Sequence, residues 1–222
     1  MDINRTLFWI GHASFYVKAA GKTIFIDPFG IGPGIREKAD LVLITHAHYD
    51  HCSKDDIRRV MKPGTEIICS RGCLDDGTFK DFTVAEPGFT TEWNGIGIEA
   101  VPAYNTNPAR LQAHPKANRW VGYILKIEGT RIYHAGDTDF IDEMRSLGAL
   151  GAALLPIGGT YVMDVGEAIN ASKAIAAGMT VPMHYKALLG KEGSAAAEKN
   201  FLAGAYRPVL MKEVQEPKYG FQ

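Results

Sequence analysis

The seven residues Thr45 to His51 read THAHYDH, and they follow the apolar run LVLI at 41–44 without a break. A continuous apolar stretch of four is what a strand covered on both faces shows, as in a parallel sheet with helices on either side. Three of the chain's seven histidines, His46, His48 and His51, fall within six residues there, with Asp50 between the last two. On an extended segment, positions two apart share a side, so four metal-binding side chains converge at the end of a buried strand. Imidazole and carboxylate suit zinc and related first-row ions, and a mixed set leaves coordination positions open for water. One ion would take His46 and His48, a second Asp50 and His51. Cys52, the next residue, would point to the opposite side.

Working outward, the stretch before LVLI is rich in β-branched and aromatic residues punctuated by glycine. It reads as three short strands with a turn at Ala20-Gly21-Lys22. SKDDIRRVMK at 53–62 has Ser53 as N-cap, acidic residues first and basic ones last, the order that suits a helix dipole. TEIIC, DFTVA and IGIEAVPA read as strands, and WVGYILKIEGTRIYHAG as a strand pair around Glu128-Gly129-Thr130. Then come a helix in DFIDEMRSLGA, a buried strand in AALLPIGG, a helix in DVGEAINASKAIAAG ending at Gly178, a strand in TVPMHY, a helix in SAAAEKNFLAGA and a closing strand in PVLMK. Strands first, then strand and helix alternating, occurs in each half. Two such halves predict an α/β fold, a four-layer αββα sandwich, in a single domain spanning 1–222.

Composition narrows the function. The formal net charge is −1, with 24 basic and 25 acidic residues, which gives no general footprint for extended nucleic acid. No apolar run is long enough for a signal segment or a membrane span, so the expectation is a cytoplasmic protein. Three cysteines, Cys52, Cys69 and Cys73, fit neither a disulfide framework nor a four-cysteine zinc site and read as buried thiols.

A two-ion site needs ligands from other strand ends. Asp137 in YHAGDTD follows a strand and a glycine turn, and its carboxylate can bridge two ions. His184 in VPMHY ends the last apolar strand of the second half. Taken alone, Asp137 reads as a helix N-cap and His184 as a core residue.

THAHYDH, HAGDTD and PMHY, in that order, resemble the motifs of the metallo-β-lactamase-fold hydrolases over essentially the whole chain. With GHASF, IDP and GGTYVMD, the sequence is most similar to the small members resembling ascorbate-6-phosphate lactonase and N-acylphosphatidylethanolamine phospholipase D. The resemblance implies a binuclear hydrolase in which His46, His48 and a third histidine hold one ion, Asp50, His51 and His184 the other, and Asp137 bridges. The third histidine of many relatives comes where this chain has Tyr104 and Asn105. Asn105 is a weak zinc ligand, and His114 is the nearest replacement.

Around this set, His12 is expected to orient substrate or a carboxylate and Asp27 to accept from a metal-binding histidine. His134 is expected in the core or behind the ligands, and Asp164 as a helix cap with a lesser option near the site. Arg110, Lys116, Arg119 and Lys186 could hold an anionic small-molecule substrate. The expected cofactor is a pair of divalent ions, zinc first, with Mn2+, Fe2+ or Ni2+ also compatible. Asp50 and Asp137 would orient the attacking water, and the substrate would be a small ester, lactone, amide or phosphodiester. A non-catalytic metal-binding module and a di-iron redox protein are the alternatives on the same fold.

Overall fold

The computed structural model describes residues 2–215. A short helix α1 (Ile3–Thr6) leads into the meander β1 (Leu7–Gly11), β2 (Ser14–Ala19) and β3 (Lys22–Ile26). The β2–β3 hairpin turns on Ala20 and Gly21, both at positive φ (52° and 70°), the turn geometry whose twist matches paired strands. β4 (Leu41–Ile44), β5 (Glu66–Ser70) and β6 (Thr83–Ala85) add in parallel, giving a six-stranded sheet in the order β1 to β6.

The apolar run of β4 divides between two packings. Leu41 and Leu43 join the core shared with the second sheet, while Val42 and Ile44 join Ile57 and Val60 of helix α2 (Lys54–Val60) on the outer face. A strand buried on both faces can spare no polar position, which is why LVLI is apolar throughout. Ser53 caps α2 by accepting from the Asp56 N–H, as the charge order predicts. Cys52, Cys69 and Cys73 are free thiols buried in the outer cluster, and the Cys52 thiol donates to the Cys73 carbonyl at 3.3 Å.

The second sheet repeats the scheme with β7 (Thr90–Trp93), β8 (Ile96–Pro102), β9 (Val121–Ile127), β10 (Thr130–His134), β11 (Ala152–Pro156) and β12 (Thr180–Met183), ordered β12-β11-β10-β9-β8-β7. β7 to β10 are antiparallel and β10 to β12 parallel. Helices α3 (Val165–Ile175) and α4 (Lys186–Gly204) contribute Ala168, Ala171, Ile175, Ala197 and Phe201 to the core with β11 and β12. The result is the expected αββα sandwich. Among the described residues, no helix is long and apolar enough to cross a membrane.

Several elements differ from the sequence expectation. β7 was not foreseen, because TTEW is a short, polar edge segment with little apolar signal. DFIDEMRSLGA forms only a 3-10 turn at Asp142–Ser146: Asp139 at its start is tied by its backbone to the Tyr104 carbonyl, and Gly148 turns at φ 73°. α3 stops at Ile175, with Ala176 rather than Gly178 in the left-handed region. Gly178 is needed for close packing instead, since a Cβ there would sit 2.7 Å from the Gly151 carbonyl oxygen. α4 starts earlier than expected, at Lys186, and is interrupted at Gly190. PVLMK is not a regular strand; Pro208 lacks an N–H, and the segment makes one isolated bridge, Thr180 to Pro208, with a second, Trp9 to Glu213, just past its end.

The two sheets are tied at one end. The Tyr123 hydroxyl of β9 donates to the Ile44 carbonyl at 3.1 Å, and the Val121 N–H donates to the Thr45 carbonyl at 3.2 Å. Gly136 packs into this junction at φ 63°, where a Cβ would lie 2.9 Å from the Val121 oxygen and 3.2 Å from the Thr45 Cβ. Gly136→Ala is therefore expected to lower the melting temperature by about 2–4 °C or more, because a left-handed site penalises alanine and the clash adds to it. Thermal unfolding followed by circular dichroism checks this, and an unchanged midpoint would contradict the account of the junction.

Candidate metal centre

Beyond this junction the ends of β1, β4, β10 and β12 meet. THAHYDH leaves β4 at Thr45 and is not extended throughout, as the sequence suggested. The His51 and Cys52 N–H groups donate to the His48 carbonyl at 3.0 and 2.7 Å, closing a turn. The turn lets the consecutive residues Asp50 and His51 face the same space, which an extended chain would not allow.

Eight side chains gather in two groups. His46, His48, His114 and Asp137 form one, and His12, Asp50, His51 and His184 the other; within each, the potential ligand atoms lie within 4.8 Å of one another. Asp137 reaches both. Its Oδ1 lies 3.3 Å from His51 Nε2, and its Oδ2 lies 3.3 Å from His114 Nε2 and 3.1 Å from His184 Nε2. Several of these atoms are buried with no hydrogen bond, namely His51 Nε2, His114 Nε2, His184 Nε2 and Asp137 Oδ1. A buried polar atom without a partner costs about 1–3 kcal/mol, and a cation among these donors would remove that cost at all of them. The donor set, imidazole nitrogen and carboxylate oxygen, fits divalent first-row ions.

The groups behind these side chains fix which nitrogen of each ring faces inward. The Thr45 hydroxyl donates to Asp27 Oδ2 at 2.6 Å, so at 3.0 Å it accepts from His46 Nδ1–H, leaving Nε2 for the site. Asp27 Oδ2 also accepts from His51 Nδ1–H at 2.7 Å. His114 Nδ1–H donates to Asn105 Oδ1 at 2.8 Å and lies 3.2 Å from the Tyr161 carbonyl, which points Nε2 at Asp137. Asn105 is oriented in turn by donating its amide to Asp139 Oδ1 and to the Tyr161 carbonyl. Asn105 and His114 thus act as a pair, the amide behind the imidazole.

Charge in this buried space follows from the contacts. Burial pushes His46 well below the ordinary imidazole value, with His51 adding to it. Burial also opposes a charge on His51, but Asp137, Asp27 and Asp50 outweigh it and hold that ring well above its ordinary value. His184, with the same burial penalty and Asp137 beside it, is raised to about 9. Burial would raise Asp137 and Asp50, yet the neighbouring histidines, His184 and His51 for Asp137 and His51 and His12 for Asp50, hold both well below the carboxylate range. His12 drops to about 4 through burial and His184.

Backbone conformation carries part of the arrangement. His12, Asp27 and His184 have φ of 51°, 47° and 56°, left-handed values uncommon for residues other than glycine. The His12 carbonyl accepts from the Trp9 indole at 3.0 Å and from the His184 N–H at 3.1 Å, so the ends of β1 and β12 are fastened to each other.

The remaining expected residues fall outside the centre. His134 is buried behind it, donating from Nε2 to the Ala13 carbonyl at 2.8 Å and accepting from the Gly136 N–H at 3.1 Å. Asp164 is the N-cap of α3 in a capping box with Glu167. The cations are committed elsewhere: Arg110 to Asp139 and Glu167, Lys116 to Glu143, Arg119 to Glu86, and Lys186 to Glu213 and the face of Trp9. None of these four is among the described residues that line the cavity over the two groups.

Sequence reasoning passed over Thr45, Asp139 and Trp120. Trp120 packs 5.0 Å from the His46 and His48 rings and 5.8 Å from His114, centroid to centroid. Nothing local marks it; Asp139 at least lay in the recognised HAGDTD motif.

With the geometry in hand, comparison with known proteins identifies the family. The family described as the Beta-lactamase superfamily domain matches residues 6–184. A UPF0173 metal-dependent hydrolase of Thermoplasma volcanium is 33% identical over 98% of this chain and 99% of its own. A crystal structure of a candidate metal-dependent hydrolase from Parabacteroides distasonis superposes with a TM-score of 0.81 at 33% identity, covering 94% of this chain and 93% of that one. Igni18, a metallo hydrolase from Ignicoccus hospitalis, superposes with a TM-score of 0.74 at 29% identity, covering 94% and 95%. The chain belongs to the β-lactamase superfamily, among its metal-dependent hydrolases.

Two outcomes are expected of the metal-free protein. If His184 binds the metal, the metal must displace the proton that this ring holds up to about 9, and apparent affinity would rise with pH up to that point. Zinc added at pH 7 in weak buffer should release about one proton or more per chain, read with an indicator dye; zero release would contradict the charge assignment. Zinc should also change the tryptophan emission through Trp120, and Trp120→Phe should remove most of that change.

Proposed function

We propose that the centre holds two divalent ions and hydrolyses a small ester, lactone, amide or phosphodiester, the two sheets working as one domain. His46, His48 and His114 would hold the first ion, Asp50, His51 and His184 the second, and Asp137 would bridge. The observation that carries this reading is the position of Asp137, whose two oxygens face a histidine of each group at 3.3 Å. Zinc suits the donors best, and manganese, iron or nickel would also be accepted.

Bound ions of this kind supply Lewis acidity and ionise a water near neutral pH. The chain's own groups do the rest. Asp27, Thr45 and Asn105 hold three rings in the tautomer that presents Nε2 inward, so no ring must turn during the reaction. Asp50 or Asp137 would orient the attacking water, and Asp50 Oδ2 would carry a proton from it to the leaving group. His12 Nε2, 2.9 Å from that oxygen, keeps the carboxylate aimed. No serine or cysteine nucleophile is required; the three thiols lie in the outer cluster beneath α2.

Elemental analysis after reconstitution should give about two equivalents of transition metal per chain, and His114→Ala about one. Fewer than one equivalent in the unaltered protein would count against the whole reading. Two full equivalents in His114→Ala would remove His114 alone from the ligand set.

A further inference from the structure

The three cysteines take no part in the hydrolytic scheme, and the fold brings them together behind it. Cys69 of β5 pairs with Ile44, the last residue of β4, so it stands one strand away from the segment that carries His46 to His51. Cys73 comes in the turn after β5, its N–H donating to the Ser70 carbonyl at 3.4 Å. Cys52 closes the turn that aims Asp50 and His51, its N–H donating to the His48 carbonyl at 2.7 Å. All three side chains belong to the apolar cluster beneath α2.

Within that cluster the sulfurs meet. The Cys52 thiol donates to the Cys73 carbonyl at 3.3 Å. The Cys73 thiol is itself hydrogen-bonded to the Cys52 and Cys69 sulfurs, which, with burial, hold it well above its ordinary value. Two further contacts dock the same segments: Lys54 pairs with Asp76, and the Arg58 guanidinium lies 5.5 Å from the Phe79 ring centroid. Sulfurs already in hydrogen-bond contact need only close to about 2 Å to bond, and segments docked in this way have little distance to travel.

Access separates the three thiols. A cavity of about 660 Å³ beside α2 is lined by Cys52 and Cys73. These two keep 6% and 5% of their surface exposed, whereas Cys69 is at 0% and is not among the described residues that line the cavity. A small reagent entering there meets Cys52 and Cys73 before Cys69.

We propose that Cys52 and Cys73 form a dithiol site that a small-molecule disulfide oxidises to an intramolecular bridge, tying the turn that carries Asp50 and His51 to the loop after β5. In the first exchange one cysteine sulfur bonds to a sulfur of the reagent, whose S–S bond breaks and releases a thiolate. In the second, the other cysteine sulfur displaces the remaining half of the reagent. The two thiol protons end on the two small thiols released, so the cysteine pair is oxidised and the reagent reduced. Cys69 stays a thiol.

The test treats the metal-loaded full chain with excess hydroxyethyl disulfide, then unfolds it and alkylates it with iodoacetamide. Free thiols should fall from three to about one per chain, and peptide mapping without reductant should join Cys52 to Cys73 and find Cys69 alkylated. The bridged protein should melt about 3 °C or more above the reduced one, because the bridge closes a loop in the unfolded chain, and a phosphine reductant should reverse the shift. Cys69→Ala should still form the bridge and Cys73→Ala should not. Because the bridge is read in the unaltered chain, a variant that fails to fold leaves that reading decisive. Three thiols untouched in the folded protein, a mixed disulfide that persists, a link that includes Cys69, or a bridged protein that melts no higher would each overturn the proposal.

Discussion

Two buried aspartates, Asp27 and Asp137, set the conditions that the rest of this structure meets. Each carboxylate lies where water cannot solvate it, so each must be matched by hydrogen bonds or positive charge. Asp27 is matched by the chain alone, through the Thr45 N–H and hydroxyl and the His51 ring. Asp137 is matched by charge instead: it faces His51, His114 and His184, and one of its oxygens lacks any hydrogen bond. A carboxylate held by the chain beneath one held only by neighbouring rings is the chemistry of a site whose side chains are fixed from behind and whose front could take a cation.

Everything around Asp137 serves to deliver it there. Gly136 allows the turn after β10 to press against Thr45, and two hydrogen bonds between the sheets hold that turn over the end of β4. The same closeness brings imidazoles into mutual contact, His12 and His184 at 3.8 Å and His46 and His51 at 4.0 Å between centroids. Metal-free, the cluster keeps protons on His51 and His184 because the carboxylates demand charge. The protons thus occupy the role that ions would take over, and the chemistry of loading is an exchange of one for the other.

The loop between β8 and β9 shows how a departure from a motif is absorbed. Where the resemblance led to an expected histidine just after the strand, this chain has Asn105, with His114 nine residues later against its side chain. Asp139 makes this possible by accepting from the Thr106 and Asn107 N–H groups at 2.7 Å, from the Asn105 amide and from Arg110. The loop is folded around one buried carboxylate, and its proline-rich sequence needs no helix or strand. The cost is that Arg110 is consumed in the framework, which leaves the cavity walls without its charge.

Most of the layered architecture was legible in the sequence because strands with two covered faces must be apolar throughout and helices must carry caps: LVLI, AALLP, Ser53 and Asp164 mark themselves. The donor types of the candidate site were legible for a similar reason, since three histidines and an aspartate at one strand end have little structural use. What lay beyond reach were the features set by residues far apart in the chain. The turn that aims Asp50 and His51 together, the service of Asn105 to His114, the burial of Arg110 against Asp139 and Glu167, and the packing of Trp120 on three histidines all depend on where two sheets meet. Local sequence dictates which residues can bond a metal or cover a core; only the tertiary packing decides which nitrogen faces inward, which charge is already spent, and what surface is left for a substrate.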